Sequence, residues 1–346
     1  MKNTNVLLSV TDLEKHFPLR KKNPFSKQRQ YLRANDGISL TIFKGETFGL
    51  VGESGCGKST FGRTILQLQK PTRGQVTYYG RGAGMELTQL KGKEMRSLRK
   101  DLQIIFQDPY SSLDPRMTVG QLIEEGLATH GLYKRGTEKM REEVLSVMKK
   151  CGLQSYALHR YPHQFSGGQR QRICIARALA LKPKFIVCDE CVSALDASVQ
   201  SQILNLLSEL KEKEKLTYLF ISHDLSVVRY ISDKIGVMYL GELVETGSAK
   251  SVFENPRHPY TISLMSAVPS VKTRKSERII LQGHMPSPVA PPSGCKFHTR
   301  CFMACERCKS GKVPVLEVEK GHFVACHFAK LSTQEKRKLA KDRENG

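Results

Sequence analysis

Eight consecutive residues, Gly52-Glu53-Ser54-Gly55-Cys56-Gly57-Lys58-Ser59, have the composition and spacing of a loop that wraps phosphate. The glycines let successive backbone N–H groups turn toward phosphate oxygens, Lys58 spans the β- and γ-phosphates, and Ser59 ligates Mg²⁺. Thr60 carries the chain on into a helix, whose N-terminal dipole adds to the attraction for an anion. A second chemical element is Phe185-Ile186-Val187-Cys188-Asp189-Glu190, an apolar run ending in two carboxylates. Asp189 suits the Mg²⁺ shell, and Glu190 suits the polarisation of an attacking water. Of ten cysteines, five are scattered and five crowd between Cys295 and Cys326. In a reducing compartment such a crowd is a metal-site candidate before it is a disulfide framework.

These residues need a scaffold. Thr47-Phe48-Gly49-Leu50-Val51 reads as a buried strand feeding the glycine loop, and Thr60 to Gln69 as the helix leaving it. Strand, loop and helix in that order begin a phosphate-binding α/β unit. Ile38, Leu40 and Ile42 alternate as in a half-buried strand, and short apolar strands recur at Leu102 to Phe106, Phe185 to Cys188 and Tyr218 to Ile221. Between them run helical stripes, Met140-Val144-Val147-Met148-Cys151 and Ile203-Leu204-Leu207-Leu210, read as core packing. Strands alternating with helices predict an α/β fold with a mostly parallel sheet covered on both faces.

The 346 residues suffice for about two domains of ~150. No window approaches the ~18 unbroken apolar residues of a spanning helix, and Met1 to Lys15 alternates instead of forming a signal core, so the chain is expected in the cytoplasm. A net charge of +22 suits nucleic acid, an anionic membrane face or a phosphate ligand without choosing among them. Arg20 to Arg33 holds six Lys or Arg and no acid, and reads as an exposed loop that is either a solvated charge run or a headgroup or partner contact. Prolines 269, 286, 288, 291 and 292 mark a linker over 269–294. The charged tail from Lys330 is expected to fray.

Phe165-Ser166-Gly167-Gly168-Gln169-Arg170-Gln171-Arg172, upstream of the strand with Asp189 and Glu190, resembles the signature motif of ABC-type ATPases. Gln107 matches that family's Q-loop, Ser193-Ala194-Leu195-Asp196 its D-loop and His223 its switch histidine, while Phe17 stands where it places an aromatic on adenine. The resemblance implies a P-loop ATPase core with an antiparallel β subdomain and a helical signature subdomain, about 110–180. It further implies that Lys58, Ser59, Gln107 and His223 surround the γ-phosphate and its Mg²⁺. Ser166, Gly167, Gly168 and Gln169 would complete the site of a second ATPase subunit, expected to form a heterodimer. One departure is Cys191, where the family usually has Pro; it frees φ, adds a donor and is expected to loosen the D-loop.

Asp108-Pro109-Tyr110-Ser111-Ser112-Leu113-Asp114-Pro115-Arg116-Met117, Asn255 to Thr261 and Pro286 to Cys295 are similar to segments of the oligopeptide/dipeptide importers, F-type more than D-type. That resemblance implies ATP hydrolysis on the cytoplasmic face of the inner membrane. It would power two separate integral permeases fed by an extracytoplasmic peptide-binding protein, with no nucleic acid. The alternatives are a non-peptide cargo such as a nickel chelate, or an ABC ATPase acting on DNA. The latter inserts large domains, whereas 108 residues separate Lys58 from Ser166. Cys295-x5-Cys301-x6-Cys308-x17-Cys326 matches the family's C-terminal motif and implies a [4Fe–4S] cluster; four thiolates also suit zinc, Cys305-x2-Cys308 is a zinc-type pair, and an unmetallated patch is the third reading. His298, His322 and His327 are read as solvent-facing. The expected segments are 1–268 for the ATP-binding domain, 269–294 for the linker, 295–328 for the cysteine-rich module and 329–346 for the tail.

Overall fold

A computed structural model of the chain describes residues 5–20, 29–267, 279, 281 and 283–344, the last five without side chains. The strands are β1 (Val6–Pro18), β2 (Tyr31–Phe43), β3 (Thr47–Val51), β4 (Arg73–Tyr78), β5 (Met85–Glu86), β6 (Leu102–Ile105), β7 (Phe185–Asp189), β8 (Thr217–Ile221), β9 (Lys234–Tyr239), β10 (Glu242–Ser248), β11 (Val315–Glu319) and β12 (His322–Ala325). Packing divides the chain into two compact units, each made of three segments. The first is Met1–Leu8, Thr41–Thr47 and Thr77–Ile221; the second is Ser9–Leu40, Phe48–Val76 and Ser222–Gly346. The units interleave along the chain, so they neither follow nor decide the segment boundaries expected above.

In the first unit β8, β7 and β6 lie side by side and parallel, Leu102 opposite Phe185 and Phe185 opposite Thr217. Every residue of β7 and β8 is buried, which is why both read as unbroken apolar runs. The helices Val119–Thr129, Glu138–Lys150 and Gly167–Leu179 lie between β6 and β7, and Ala197–Glu214 follows β7. The stripe Met140, Val144, Val147, Met148 and Cys151 is at most 2% exposed, as core packing requires.

In the second unit the order is β11-β12-β10-β9-β3, with β3 parallel to β9 and the remaining pairs antiparallel. The helix after the glycine loop runs Lys58–Ile65, starting two residues earlier than the sequence suggests because Gly57 caps it in a left-handed conformation. The cysteine-rich segment is joined to this sheet, since β12 pairs with β10, Glu245 opposite Val324. The tail does not fray where it is described. Ser332 and Glu335 exchange hydrogen bonds as a capping box, starting the helix Thr333–Glu344, and Lys336 is fully buried with its ammonium donating to the Arg257 carbonyl. Of the basic stretch 20–33, residues 21–28 lie outside the described residues, and Tyr31–Arg33 opens β2 instead of a loop. Much of the linker, 268–278 with 280 and 282, lies outside them too; in the part described, the Pro288 carbonyl accepts from Arg33 N–H at 3.0 Å.

Candidate functional site

The phosphate loop belongs to the second unit. Gly52 and Gly57 are both at positive φ, 153° and 103°, and a Cβ on them would lie 2.2 Å from the Met238 carbonyl oxygen and 2.0 Å from that of Ala34. Only glycine fits where the loop runs this close to neighbouring backbone. Asn35 secures the turn by donating from its side chain to the Gly57 carbonyl at 3.1 Å. Lys58 is 4% exposed; its ammonium donates to the carbonyls of Gly52 at 2.8 Å and Glu53 at 3.0 Å, which holds the charge over the loop. Burial pushes the neighbouring Cys56 thiol up, keeping it neutral beside that ammonium. Phe17 lies in β1 with the Lys15 ammonium 4.8 Å from its ring centroid. Ser222 N–H donates to Leu50 of β3 at 3.2 Å, which fixes the segment bearing His223 next to the strand that feeds the loop.

Gln107, Asp189, Glu190, Asp196 and the signature residues belong to the first unit. Asp189 ends β7 and is 1% exposed. Glu190 follows at φ 50°, a conformation that costs a non-glycine residue energy and is typical of functional positions. Its N–H donates to the Ile221 carbonyl at 3.0 Å, and its carboxylate accepts from Gln107 Nε2 at 3.0 Å, so the structure brings together two residues 83 positions apart. Cys191 does not loosen this corner: it is 2% exposed and its thiol is in hydrogen-bond contact with Cys188.

Ser166 caps the helix Gly167–Leu179. Its Oγ accepts from Gln169 N–H at 3.4 Å while Gln169 Oε1 accepts from Ser166 N–H at 3.1 Å, so the signature Ser-x-x-Gln is also a capping box. Gly168 packs so tightly that a Cβ would lie 2.3 Å from Val199 Cγ1. Asp196 caps the next helix through Val199 N–H at 2.9 Å and Ser198; the Ser198 hydroxyl holds its carboxyl below the usual range. The sequence gives no hint of two further ties. The Arg170 guanidinium stacks 3.9 Å from the Tyr110 ring centroid, and Arg177 donates to the Ser112 carbonyl at 2.9 Å. Both fasten the segment after Gln107 to the signature helix, beside a cavity of about 140 Å³ lined by Ile105, Phe106, Ser112, Cys174, Arg177 and Ala178.

The cysteine-rich module lies in the second unit. Cys301 Sγ accepts from Met303 N–H at 3.3 Å and Cys326 Sγ from Phe328 N–H at 3.4 Å; Phe297 N–H plays the same part for Cys295. Burial pushes the thiols of Cys301 and Cys295 up to about 12 and about 11, and the charges of the other cysteines add to the rise. Four sulfurs that repel one another's charge ionise together only around a cation, while amides aimed at sulfur stabilise thiolate. Four thiols are the donor chemistry of a soft metal centre, but among the described residues no three cysteine sulfurs lie within 4.8 Å of one another. Cys305 sits outside that pattern, with its Sγ 3.7 Å from that of Cys308. A tetrahedral zinc with Zn–S of ~2.3 Å would hold its sulfurs ~3.8 Å apart, close to the separation of this pair. Among the described residues the ligand atoms of three Cys, His, Asp or Glu approach within 4.8 Å only at Glu14, His16 and Asp36, whose carboxylates already face Lys296, Arg33 and Arg73. His322 is not solvent-facing but 1% exposed, its ring nitrogens bonded to Glu245 at 2.7 Å and Ser251 at 2.6 Å.

The module is anchored by residues beside its cysteines. Lys296 donates to Asp36 at 2.7 Å and the Leu240 carbonyl at 3.2 Å, and pairs with Glu242 at 3.0 Å. Phe297 packs against Tyr239 and Tyr260, ring centroids 5.2 and 5.4 Å away. Arg300 reaches Glu53.

A phosphate loop, a carboxylate pair held by a glutamine and a serine-capped signature helix define an ABC-type ATP-binding cassette. Residues 35–193 match the family described as "ABC transporter", and residues 244–308 the family described as "Oligopeptide/dipeptide transporter, C-terminal region". The oligopeptide transport ATP-binding protein AppF of Bacillus subtilis is 49% identical over 94% of this chain and 98% of its own length. OppF of Escherichia coli, also an oligopeptide transport ATP-binding protein, is 50% identical over 93% and 96%. The dipeptide transport ATP-binding protein DppF of Haemophilus influenzae is 45% identical over 94% and 98%. Among solved structures, a dimeric ATP-binding cassette in a post-hydrolysis state with ADP and Pi has a TM-score of 0.61 at 28% identity, covering 70% of this chain and 99% of that one. The chain belongs to the ATP-binding proteins of the ABC oligopeptide/dipeptide transporter family, and the F designation of these relatives agrees with the F-type expectation.

Proposed function

We propose that this chain hydrolyses ATP to power import of oligopeptides or dipeptides through two separate membrane permeases, working as a peripheral subunit on the inner face of the membrane beside a second ATPase subunit. A binding protein outside the membrane would supply the peptide. The observation that carries the reading is the joint match of an ATP-binding core at 35–193 and the peptide-transporter C-terminal region at 244–308 in one chain. Among the described residues no helix is long and apolar enough to cross a membrane. The segment Asp108 to Met117 after Gln107 is where a permease element would seat, and Arg170 and Arg177, which hold Tyr110 and Ser112, would pass its movement to the signature helix.

Each residue's part follows from its chemistry. Gly52 to Thr60 present backbone N–H groups to the phosphates, Lys58 exchanges its loop carbonyls for phosphate oxygens, and Phe17 stacks on the base. Ser59, Gln107 and Asp189 each carry a hard oxygen of the kind that suits Mg²⁺, an ion that when bound neutralises charge on the phosphates. Glu190, steadied by Gln107, orients and deprotonates the attacking water, and His223 contacts the γ-phosphate. Ser166, Gly167, Gly168 and Gln169, with Asp196 behind them, serve the nucleotide of the partner subunit. Cys295, Cys301, Cys308 and Cys326 would hold a [4Fe–4S] cluster, a reading supported over zinc by the x5, x6, x17 spacing these cysteines share with the family's C-terminal motif. Its contribution would be to cross-link a segment too small to bury a core of its own.

The test is reconstitution in proteoliposomes with both permeases and the binding protein. Peptide uptake should require ATP, and Lys58→Ala should abolish it by weakening nucleotide binding. ATP turnover stimulated by DNA and indifferent to peptide would overturn the reading.

A further inference from the structure

Glu53 is an awkward residue for a phosphate loop, because it sets a carboxylate among groups meant to attract a polyanion. The structure answers it from the cysteine module. Arg300 Nη1 donates to both Glu53 carboxylate oxygens, at 3.1 and 2.9 Å, from a side chain only 8% exposed, and the partners stand 247 positions apart in sequence. The Glu53 backbone is held as well: its N–H donates to the Tyr260 hydroxyl at 2.9 Å. Tyr260 packs in turn against Tyr239, 4.7 Å between centroids, and against Phe297. Both fasteners thus reach back to the short run Cys295-Lys296-Phe297-His298-Thr299-Arg300-Cys301, which carries two of the clustered thiols.

We infer that Arg300 is a positioning residue for the phosphate loop: it cancels the Glu53 charge and fixes the loop's entry, so the cysteine module sets the affinity for ATP. Losing the guanidinium leaves a half-buried carboxylate beside the bound triphosphate. A unit charge about 8–12 Å away at an effective dielectric of ~20 corresponds to roughly 10- to 30-fold in affinity. The penalty falls on binding, so KM for ATP rises while kcat changes little.

The inference rests on the reading that Gly52–Ser59 binds the phosphates, and the experiment separates the two. ATP affinity is measured by displacement of a fluorescent ATP analogue from the purified full-length chain, kept anaerobic, for the wild type, Lys58→Ala, Arg300→Met and the double variant Arg300→Met/Glu53→Gln. Arg300→Met should weaken binding about 10- to 30-fold, and adding Glu53→Gln should restore it to within about threefold of wild type. If Arg300→Met binds as the wild type does while Lys58→Ala does not, the inference fails alone; if Lys58→Ala is also unaffected, the phosphate-loop reading fails with it. If Glu53→Gln does not restore binding, Arg300 only packs the module and the inference is wrong. Should Arg300→Met fail to fold, Arg300→Lys replaces it: affinity near wild type at low salt with a steeper loss on adding KCl supports the charge argument, and parallel salt curves overturn it.

Discussion

Replacing Gly168 by alanine tests whether the signature helix is placed by packing. The new Cβ would fall 2.3 Å from Val199 Cγ1, more than 1 Å inside ordinary contact. Val199 cannot swing aside cheaply: it is β-branched, sits in the first turn of Ala197–Glu214, and its N–H is bonded to Asp196 at 2.9 Å. The helix start bearing Ser166 must give way instead. Overpacking of this kind costs about 1–3 kcal/mol, which at roughly 2 °C per kcal/mol for a chain of this size lowers the melting temperature by about 2–6 °C. Thermal unfolding followed by circular dichroism measures the loss, and ATP turnover with the cognate partner subunit reports the displaced Ser166. Because the clash is with one methyl group, Val199→Ala in the Gly168→Ala background should recover most of the melting temperature. A Gly168→Ala chain that melts with the wild type, or one that Val199→Ala does not rescue, refutes the packing argument.

Glu190→Gln should leave ATP binding within a few-fold of wild type while cutting phosphate release by about 10²–10⁴-fold, the usual size of a lost general base; near-normal release would remove Glu190 from that role. Cys301→Ser, purified anaerobically, should lose the brown colour and iron expected of the parent, whereas stoichiometric zinc without iron in the parent would defeat the cluster assignment. His258, buried and next to the Lys336 ammonium, has its pKa lowered to about 3, chiefly by desolvation. Its folded pKa lies below the unfolded value of ~6.5, so the unfolded chain takes up the extra proton and stability is lost as pH falls from about 6.5 toward 3. His258 Nδ1 accepts from Tyr260 N–H at 3.1 Å; His258→Asn keeps a capping acceptor without the titration and should flatten the fall in melting temperature between pH 7 and 5. Equal slopes would show that other groups carry the acid sensitivity.

The nucleotide chemistry was legible because its determinants are local. Gly52 to Ser59 must be contiguous to form a loop, and the five buried residues of β7 announce themselves as an apolar run before Asp189. Two capping boxes, Ser166 with Gln169 and Ser332 with Glu335, are equally local, yet the first coincides with the signature motif and the second lies inside a tail whose charge points to fraying. Contacts across long sequence separations leave no local trace. Nothing about Arg300 points to Glu53, or about Arg170 to Tyr110, and His322 differs from a solvated histidine only through Glu245 and Ser251, which the fold delivers. Helix starts were displaced for a related reason: a left-handed glycine cap at Gly57 ends the loop earlier than apolar periodicity can report.

Lys296 bears on how this protein can be taken apart or recombined. Burial alone would raise the Asp36 pKa, but the hydrogen bond and charge of Lys296 hold it down, and the same ammonium lies 3.0 Å from Glu242. A chain cut before residue 295, or a chimera grafting a paralogue's segment from residue 295 onward, would take the Lys296 ammonium from both acids and open a hole where Phe297 meets Tyr239. Exchange of the segment from residue 295 onward between sister subunits therefore succeeds only when the donor brings a lysine, a phenylalanine and an arginine in register with the recipient's Asp36, Glu242, Tyr239 and Glu53.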